Sequence, residues 1–203
     1  MPDLYKSFAE LHANEKEGSD FRVRARKHFG TTAVIAPHGG GIEPGTSELA
    51  DAIADTDFSF YTFEGLKKRG NGVLHITSSH FDEPSGLVIV GCSPRVVALH
   101  GEQGCRGEVV FLGGLDSDLA KRIEMELASE GFSVKAHSNP NLQGVDRGNI
   151  CNRGQKGRGV QLELSRPFRN ACFFSLDSYG RQELTVTGNA FVRSMRRALF
   201  TSL

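Results

Sequence analysis

A histidine and a glutamate on either side of a glycine-rich turn are the residues of this chain best suited to hold a metal ion. His38 comes two positions after the apolar run 32–36, three glycines follow at 39–41, and Glu43 lies five positions beyond the histidine. Imidazole nitrogen and carboxylate oxygen both bind zinc, and the glycines allow a tight turn that brings the two side chains together. Zinc hydrolase chemistry is therefore the first hypothesis.

Two other strand ends carry side chains that could complete such a site. The apolar run 95–99 ends at His100, and the run 160–164 contains Glu163. In open α/β sheets ligands bind beyond the carboxyl ends of the strands, so residues remote in sequence can meet there. Two histidines and one carboxylate are typical protein ligands of catalytic zinc. A further carboxylate must accept a proton from the attacking water and deliver it to the leaving amine, and Glu163 is our candidate.

The hydrophobic pattern predicts the elements that position these residues. Alternating strands and helices indicate an α/β fold in which a mixed, twisted sheet is flanked by helices. A turn at 70–72 predicts that 58–63 and 73–77 pair as a hairpin, and Thr46 or Ser47 is the predicted cap of the first long helix. The predicted strands are 32–36, 58–63, 73–77, 95–99, 109–112, 133–136 and 160–164, and the predicted helices are 45–54, 116–130 and 189–200.

Length and the absence of internal repeats predict one catalytic domain over residues 1–203. Within it, residues 1–30 form a peripheral segment with a short helix and irregular chain. The segment 138–159 is a long loop of Asn, Gly, Arg and Pro, and loops of this length in compact domains are often functional.

Composition limits the partners and the compartment. Lys plus Arg equals Asp plus Glu at 24 each, which argues against a general nucleic-acid binder or a polybasic membrane surface. We expect a monomer without nucleic-acid or membrane partners. Four scattered cysteines without a close pair predict reduced thiols in a cytosolic chain. The N-terminus lacks an apolar signal core, so we expect cytoplasmic synthesis, with release by lysis or a dedicated route if the substrate is extracellular.

These motifs, in their order, resemble the phage poly-γ-glutamate hydrolase family. The likeness extends from about Thr32 to the C-terminal helix and is carried by the segments 38–43, 75–78, 81–84, 97–101 and 161–165. It implies a zinc-dependent enzyme, related in fold to carboxypeptidase A, that cuts the γ-linked glutamate polymer of bacterial capsules and so exposes the cell surface to phage.

The same resemblance assigns roles to single residues. It implies that His38, Glu43 and His100 are the zinc ligands, and that Glu163 is the general base.

The implied substrate gives a reason for the arginines of the C-terminal third. Poly-γ-glutamate carries one free carboxylate per residue, and the guanidinium group binds carboxylates in a planar, bidentate manner. Arg147 and Arg153 lie in the long loop, whereas Arg166 and Arg169 follow the strand 160–164. We expect the four to line one groove.

Several other residues are weaker candidates. The pair Asn152–Arg153 is similar to the Asn-Arg pair of carboxypeptidases, although here it follows the last ligand instead of preceding it. His137 is a candidate for a substrate or transition-state contact, since it stands just before the long loop. His80 with Asp82 is an alternative metal pair, and His75 is expected to be a packed, hydrogen-bonded strand residue.

Two other functions stay open at this point. A zinc amidohydrolase for a small N-acyl or N-formyl amino acid would use the same metal site with a shorter pocket. A non-catalytic, metal-stabilised binder of an anionic polymer would keep its arginine-dependent binding after Glu163→Gln, because no proton is transferred.

Overall fold

Seven strands of the described residues form one mixed sheet. The computed structural model describes residues 3–28 and 30–200. The strand order across the sheet is β1-β3-β2-β4-β7-β5-β6, and β3, β2, β4 and β7 run parallel to one another. Their carboxyl ends therefore meet at one edge of the sheet. The strands are β1 (Phe21–Arg26), β2 (Ala33–Gly40), β3 (Ser59–Gly65), β4 (Val96–Glu102), β5 (Val110–Gly114), β6 (Val134–Ala136) and β7 (Val160–Ser165).

Helices cover both faces of this sheet. One hydrophobic core lies between the sheet and α2, α4, α5 and α6, and a second core lies under α1 and α3 on the opposite face. Within the described part of the chain, no helix combines the length and the apolar character needed to cross a bilayer. The helices are α1 (Phe8–Asn14), α2 (Thr46–Ala54), α3 (Pro84–Gly91), α4 (Ser117–Ser129), α5 (Arg166–Cys172) and α6 (Val186–Phe200).

The α/β fold with a mixed sheet flanked by helices is confirmed, but the predicted strand over 73–77 is wrong. A short 3-10 helix, Asn71–Leu74, occupies its first part, and the chain then crosses the edge of the sheet in an extended form. Both sides of β3 are already filled, by antiparallel β1 and parallel β2, so no hairpin can form there.

The predicted helix cap is also wrong. Gly45, with a φ of 98°, stands at the cap of α2, and no side chain bonds to the first turn there. The hydroxyl of Thr46 instead donates to the Glu43 carbonyl, and the Ser47 hydroxyl accepts from the Gly40 amide. Both hydroxyls stabilise the glycine-rich turn instead of the helix end.

Residues 3–28 contribute more than the predicted helix. After α1, the chain adds β1 at the edge of the sheet, and its three arginines pair with acids on β3 and α2. The Arg22 and Arg24 guanidinium groups lie 2.5 and 3.2 Å from the carboxylate of Glu64, and Arg26 lies 3.0 Å from Asp51.

Candidate active site

The carboxyl ends of the parallel strands open into a cleft of about 780 Å³. The three predicted zinc ligands, His38, Glu43 and His100, line this cleft together with the predicted base Glu163. His75 lines it beside them. The topology explains their meeting, because β2, β4 and β7 are parallel neighbours and His100 stands opposite Glu163 in the β4–β7 register.

An irregularity in β2 turns His38 into the cleft. The β2–β3 register shifts between Ala36 and Gly39, at the point where Pro37 cannot donate to the sheet ladder. The Nε2 atom of His38 lies 2.7 Å from the Ile76 carbonyl oxygen, which can only accept a hydrogen bond. Nε2 therefore carries the proton, and Nδ1 keeps a free lone pair that faces the cleft.

The turn that follows brings Glu43 to the same point. The Glu43 amide donates to the His38 carbonyl at 2.9 Å, and Gly40 has a φ of 62° that favours glycine. One carboxylate oxygen of Glu43 accepts from the Gly101 amide at 2.9 Å. Gly101 must itself be small, since a Cβ there would lie 2.7 Å from Arg169 Cζ and 2.9 Å from Glu43 Cβ.

Three potential ligand atoms form a close triangle. The Nδ1 atoms of His38 and His100 lie 3.1 Å apart, and carboxylate oxygens of Glu43 lie 3.4 Å from the first and 3.7 Å from the second. Two imidazole lone pairs cannot face each other at 3.1 Å unless a proton or a cation lies between them. Ligand atoms of tetrahedral zinc lie about 3.3 Å apart, given zinc–nitrogen distances of about 2.0–2.1 Å. The donor set therefore fits zinc.

The two imidazoles also set the ionisation of Glu43. Burial alone raises the pKa of this carboxyl, but the adjacent imidazoles of His38 and His100 outweigh it and bring the pKa below its ordinary range. The carboxylate is therefore ready to act as an anionic ligand at neutral pH.

His75 offers a second way to complete the ligand set. One ligand atom each from His38, Glu43 and His75 lie within 4.8 Å of one another. The His75 ring packs against His38 in a tilted arrangement, with centroids 3.9 Å apart and 33° between the ring planes. Its Nδ1 lies 2.7 Å from a carboxylate oxygen of Asp3, and the other Asp3 oxygen accepts from the Thr77 amide. The proximity of His38 and burial lower the pKa of His75 to about 4, so the ring is neutral at pH 7. Because Nδ1 donates to the Asp3 carboxylate, Nε2 is the unprotonated nitrogen.

Glu163 lies in the cleft wall and accepts a hydrogen bond from Gln161, a residue of the same strand. The Gln161 amide nitrogen donates to its carboxylate at 3.0 Å, and Asn149 donates to the Gln161 amide oxygen at 2.8 Å, which fixes the orientation of that amide. Burial, followed by the charges of Glu43 and Glu102, raises the pKa of Glu163 well above its usual range. Such a carboxyl readily takes up a proton.

Arg169 is buried and joins the chain segments that carry the site. Its guanidinium donates to the carbonyls of Pro44, Glu102 and Leu164 at 2.7, 3.1 and 3.1 Å. Pro44 directly follows Glu43, and Leu164 directly follows Glu163. Arg169 was predicted to line a substrate groove beside the zinc, but it instead holds the backbone of the site in place.

The Asn152–Arg153 pair, predicted to bind substrate, is occupied by backbone. The Arg153 guanidinium donates to the carbonyls of Ser79, Phe81 and Gly148 at 2.6 to 2.9 Å. The Asn152 amide donates to two carbonyls and accepts from two backbone amides. Neither residue lines the cleft. They anchor two stretches of backbone, residues 79–81, which follow the segment carrying His75, and the loop 144–148.

The other predicted substrate contacts also lie outside the cleft. Arg147 is exposed, Arg166 borders a separate cavity, and His137 packs on Phe111 with ring centroids 4.5 Å apart. No lysine or arginine lines the cleft in the part of the chain that the structure describes. The prediction that four arginines share one groove is therefore wrong, because β7 and the long loop direct them to different surfaces.

The alternative pair of His80 and Asp82 is separated from the cleft too. His80 is exposed, and the Asp82 carboxylate accepts from the Phe8 amide at 2.5 Å, which ties α1 to the start of α3.

The sequence matches the poly-gamma-glutamate hydrolase family over residues 5–194. The chain belongs to this family. Among curated proteins, the UPF0714 protein YndL of Bacillus subtilis (strain 168) is 41% identical over 179 residues, which is 87% of this chain and 70% of YndL.

Two solved structures agree with this family membership. The bacteriophage poly-gamma-glutamate hydrolase superposes with a TM-score of 0.93 at 30% identity, covering 97% of this chain and 96% of the phage protein. Zinc-free apo YndL superposes with a TM-score of 0.92 at 37% identity over 100% of both chains. The protein is thus a hydrolase by family and fold.

Sequence reasoning missed two features of this candidate site. The Asp3 contact with His75 joins residues that are 72 positions apart, and no local pattern predicts it. The Gln161 contact with Glu163 could have been found, since residues two apart on a strand share one face.

Proposed function

We propose that the protein is a zinc-dependent hydrolase that cleaves γ-glutamyl amide bonds of poly-γ-glutamate. One observation carries the proposal: the ligand atoms of His38, His100 and Glu43 lie 3.1 to 3.7 Å apart, in a cleft that also contains the carboxyl of Glu163. This is a metal-ligand set with a separate acid–base group, as amide hydrolysis requires. Family membership supports the substrate.

His38, Glu43 and His100 would hold the zinc ion in this proposal. When bound, zinc supplies a Lewis acid that polarises the amide carbonyl and acidifies water at neutral pH. The protein prepares the ligands in advance: the Ile76 carbonyl fixes the tautomer of His38, and the Gly101 amide orients the carboxylate of Glu43. Such outer contacts raise metal affinity by keeping the ligand atoms in position.

Glu163 would accept the proton of the attacking water and deliver it to the departing amine. Its raised pKa suits a group that must hold a proton between these two steps. The Gln161 hydrogen bond directs one carboxylate oxygen, so the other remains available to the substrate side of the cleft. We further propose that the polymer is a bacterial capsule and that the enzyme reaches it after lysis.

The experiment is the release of new amino ends from poly-γ-glutamate by purified protein. It is run with the untreated protein, after a chelator, and after zinc is added back. We expect cleavage that the chelator abolishes and zinc restores. A zinc-loaded, folded sample that releases no amino ends would overturn the polymer substrate, and chelator-resistant cleavage would overturn the metal role.

Product size separates the polymer enzyme from an amidohydrolase of small acyl amino acids. We expect the chain length of the polymer to fall, which size-exclusion chromatography detects. Turnover of N-formyl or N-acyl glutamate with no shortening of the polymer would favour the smaller substrate.

A further inference from the structure

A second cavity of about 500 Å³ adjoins the catalytic cleft. Gln103 lines both cavities, and Pro44 in the second directly follows Glu43 in the first. Two arginines of α5, Arg166 and Arg169, form part of its wall. We name this cavity the Arg166 groove.

The two cavities differ in charge. Within the described residues, four acids and no lysine or arginine line the cleft; the acids are Glu43, Glu102, Asp146 and Glu163. A substrate with a carboxylate on every residue is repelled by such a surface beyond the reach of a metal ion. A cation outside the cleft would therefore strengthen the binding of such a polymer.

Arg166 has the properties of that cation. Its side chain is exposed, and it makes no hydrogen bond or ion pair with any residue that the structure describes. Arg169, the second arginine of the groove, donates to three backbone carbonyls. Among the described residues no carboxylate lies within 4 Å of its guanidinium, so it adds positive charge to the groove wall. The forked guanidinium of Arg166 is thus free to bind a carboxylate.

One acid also borders the groove. The Asp177 carboxylate accepts from the Ser175 hydroxyl at 2.6 Å and from the Tyr179 and Gly180 amides at 2.9 Å. These bonds hold it in its own turn, and no ion pair joins it to Arg166 in the described chain. Gln103 and Asn170 supply neutral amide donors beside the arginine.

We propose that the Arg166 groove is a second substrate subsite, which binds the free carboxylate of a glutamyl residue outside the cleft. The inference rests on the proposed function, because it takes the acidic polymer as the substrate. It has a kinetic consequence: chains long enough to reach both cavities bind more tightly than the shortest chain that can be cleaved.

The test compares Arg166→Ala with wild type on two substrates, long poly-γ-glutamate and the shortest γ-linked oligomer that wild type cleaves. We expect KM for the polymer to rise roughly tenfold, as for loss of a charge-assisted hydrogen bond. The kcat value, the zinc content and KM for the oligomer should stay within twofold. The polymer KM of Arg166→Lys should lie between those of wild type and Arg166→Ala, since lysine keeps the positive charge but lacks the forked guanidinium.

The matched control is Arg193→Ala, which removes an exposed arginine of α6 that borders neither cavity. It should leave both KM values unchanged. An unchanged KM in Arg166→Ala, an equal rise for both substrates, or the same rise in Arg193→Ala would each overturn the subsite.

Binding separates this inference from the proposed function. If wild type cleaves no polymer, calorimetric titration with poly-γ-glutamate is the deciding measurement. Binding that weakens in Arg166→Ala but not in Arg193→Ala keeps the carboxylate subsite, although the proposed reaction fails. Equal binding by both variants, or no binding by wild type, removes the subsite as well.

Discussion

Glu163 receives opposite influences from its neighbours. Burial and the carboxylates of Glu43 and Glu102 raise its pKa, whereas the Gln161 hydrogen bond and the Arg169 charge lower it. The net effect is a raised pKa, and a cation bound at the three ligands would lower it again. A group balanced in this way can take up and release a proton during one turnover.

Glu163→Gln should therefore remove catalysis while leaving the metal in place. The amide has the same shape but cannot accept the proton, so we expect kcat to fall by roughly 10²- to 10⁴-fold. Zinc content and polymer binding should be unchanged. The measurement is the rate of amino-end release beside zinc analysis, with Glu108→Gln, at an exposed glutamate, as the matched control. Activity within threefold of wild type would indicate another base or a non-catalytic binder.

The choice between His100 and His75 as the third ligand is a second prediction at this scale. His100 points Nδ1 at the Nδ1 of His38, whereas His75 uses Nδ1 to contact Asp3. We expect His100→Ala to lose its zinc on dialysis. Its zinc affinity should fall by more than the roughly 10- to 100-fold caused by removing a residue that only hydrogen-bonds a ligand. His75→Ala should retain stoichiometric zinc.

Metal analysis of both folded variants decides between the two sets. Zinc retained in His100→Ala and lost in His75→Ala would assign the ion to His38, Glu43 and His75 instead.

At the level of elements, α5 matters because its arginine joins three strand ends. Arg169 donates to the chain just after β2, to the last residue of β4 and to β7. These contacts set the spacing of the segments that carry Glu43, His100 and Glu163. A change in α5 should therefore reach the site without touching a ligand.

Arg169→Lys should weaken both folding and zinc binding. Lysine cannot reach all three carbonyls, and loss of buried charged hydrogen bonds should lower the free energy of unfolding by roughly 2–4 kcal/mol. We expect zinc affinity to fall at least tenfold as well. Denaturant unfolding and competition with a zinc indicator measure the two effects.

Arg196→Lys provides the control for this variant. Arg196 donates to the Ile53 carbonyl near the C-terminal end of α2 and pairs with Asp57, which follows that helix. The Arg196→Lys variant should lose stability but keep its zinc affinity. An equal loss of zinc affinity in both variants would show that Arg169 acts on the site only through general stability.

The sequence predicts those site residues that lie at or near the ends of strands. His38, His100 and Glu163 were placed together because apolar runs end near them, and parallel strands deliver their ends to one edge. The arginines were unpredictable for a physical reason. A guanidinium binds a carbonyl as readily as a carboxylate, so only the fold reveals that Arg153 and Arg169 are used by backbone.

The same limit explains the error at His75. Residues 73–77 are rich in apolar and β-branched side chains and fit a strand, but pairing requires a vacant edge, and the edges of β3 are taken by β1 and β2. Local pattern thus predicts the buried central strands, whereas β1 and the false strand at 73–77 show that edge strands and strand partners depend on the whole sheet.

For the whole molecule, the two cores on opposite faces of the sheet each contain a buried thiol. Cys172 belongs to the core beneath α2, α4, α5 and α6, and Cys151 belongs to the core on the opposite face. All four cysteines are free, as the sequence predicted. Burial raises the pKa of both buried thiols from an ordinary value of 9.0 to about 12.

Stability should therefore fall in alkaline solution. Because the folded pKa lies above the unfolded one, the unfolded chain loses these protons first, and folding weakens as the pH rises from about 9 towards 12. At pH 10 each thiol should have lowered the free energy of unfolding by roughly 1.4 kcal/mol relative to pH 7. Denaturant unfolding at both pH values measures the decrease.

The double variant Cys151→Ala, Cys172→Ala provides the reference, since it keeps every other titrating group. Each single variant should remove about half of the excess alkaline loss if both faces of the sheet unfold together. A wild-type decrease no larger than that of the double variant would contradict the prediction.

The arginines of β1 have a consequence for contacts between copies of the chain. With a formal net charge of zero at pH 7, overall repulsion does not keep the molecules apart. β1 is an edge strand, and its unpaired backbone groups could template a strand from a neighbour. Antiparallel pairing of two β1 strands with matching apolar faces would place arginine opposite arginine, which is destabilising. The three arginines outnumber the two carboxylates that they pair with, Glu64 and Asp51, so we expect the remaining positive charge to disfavour edge-to-edge contact between copies.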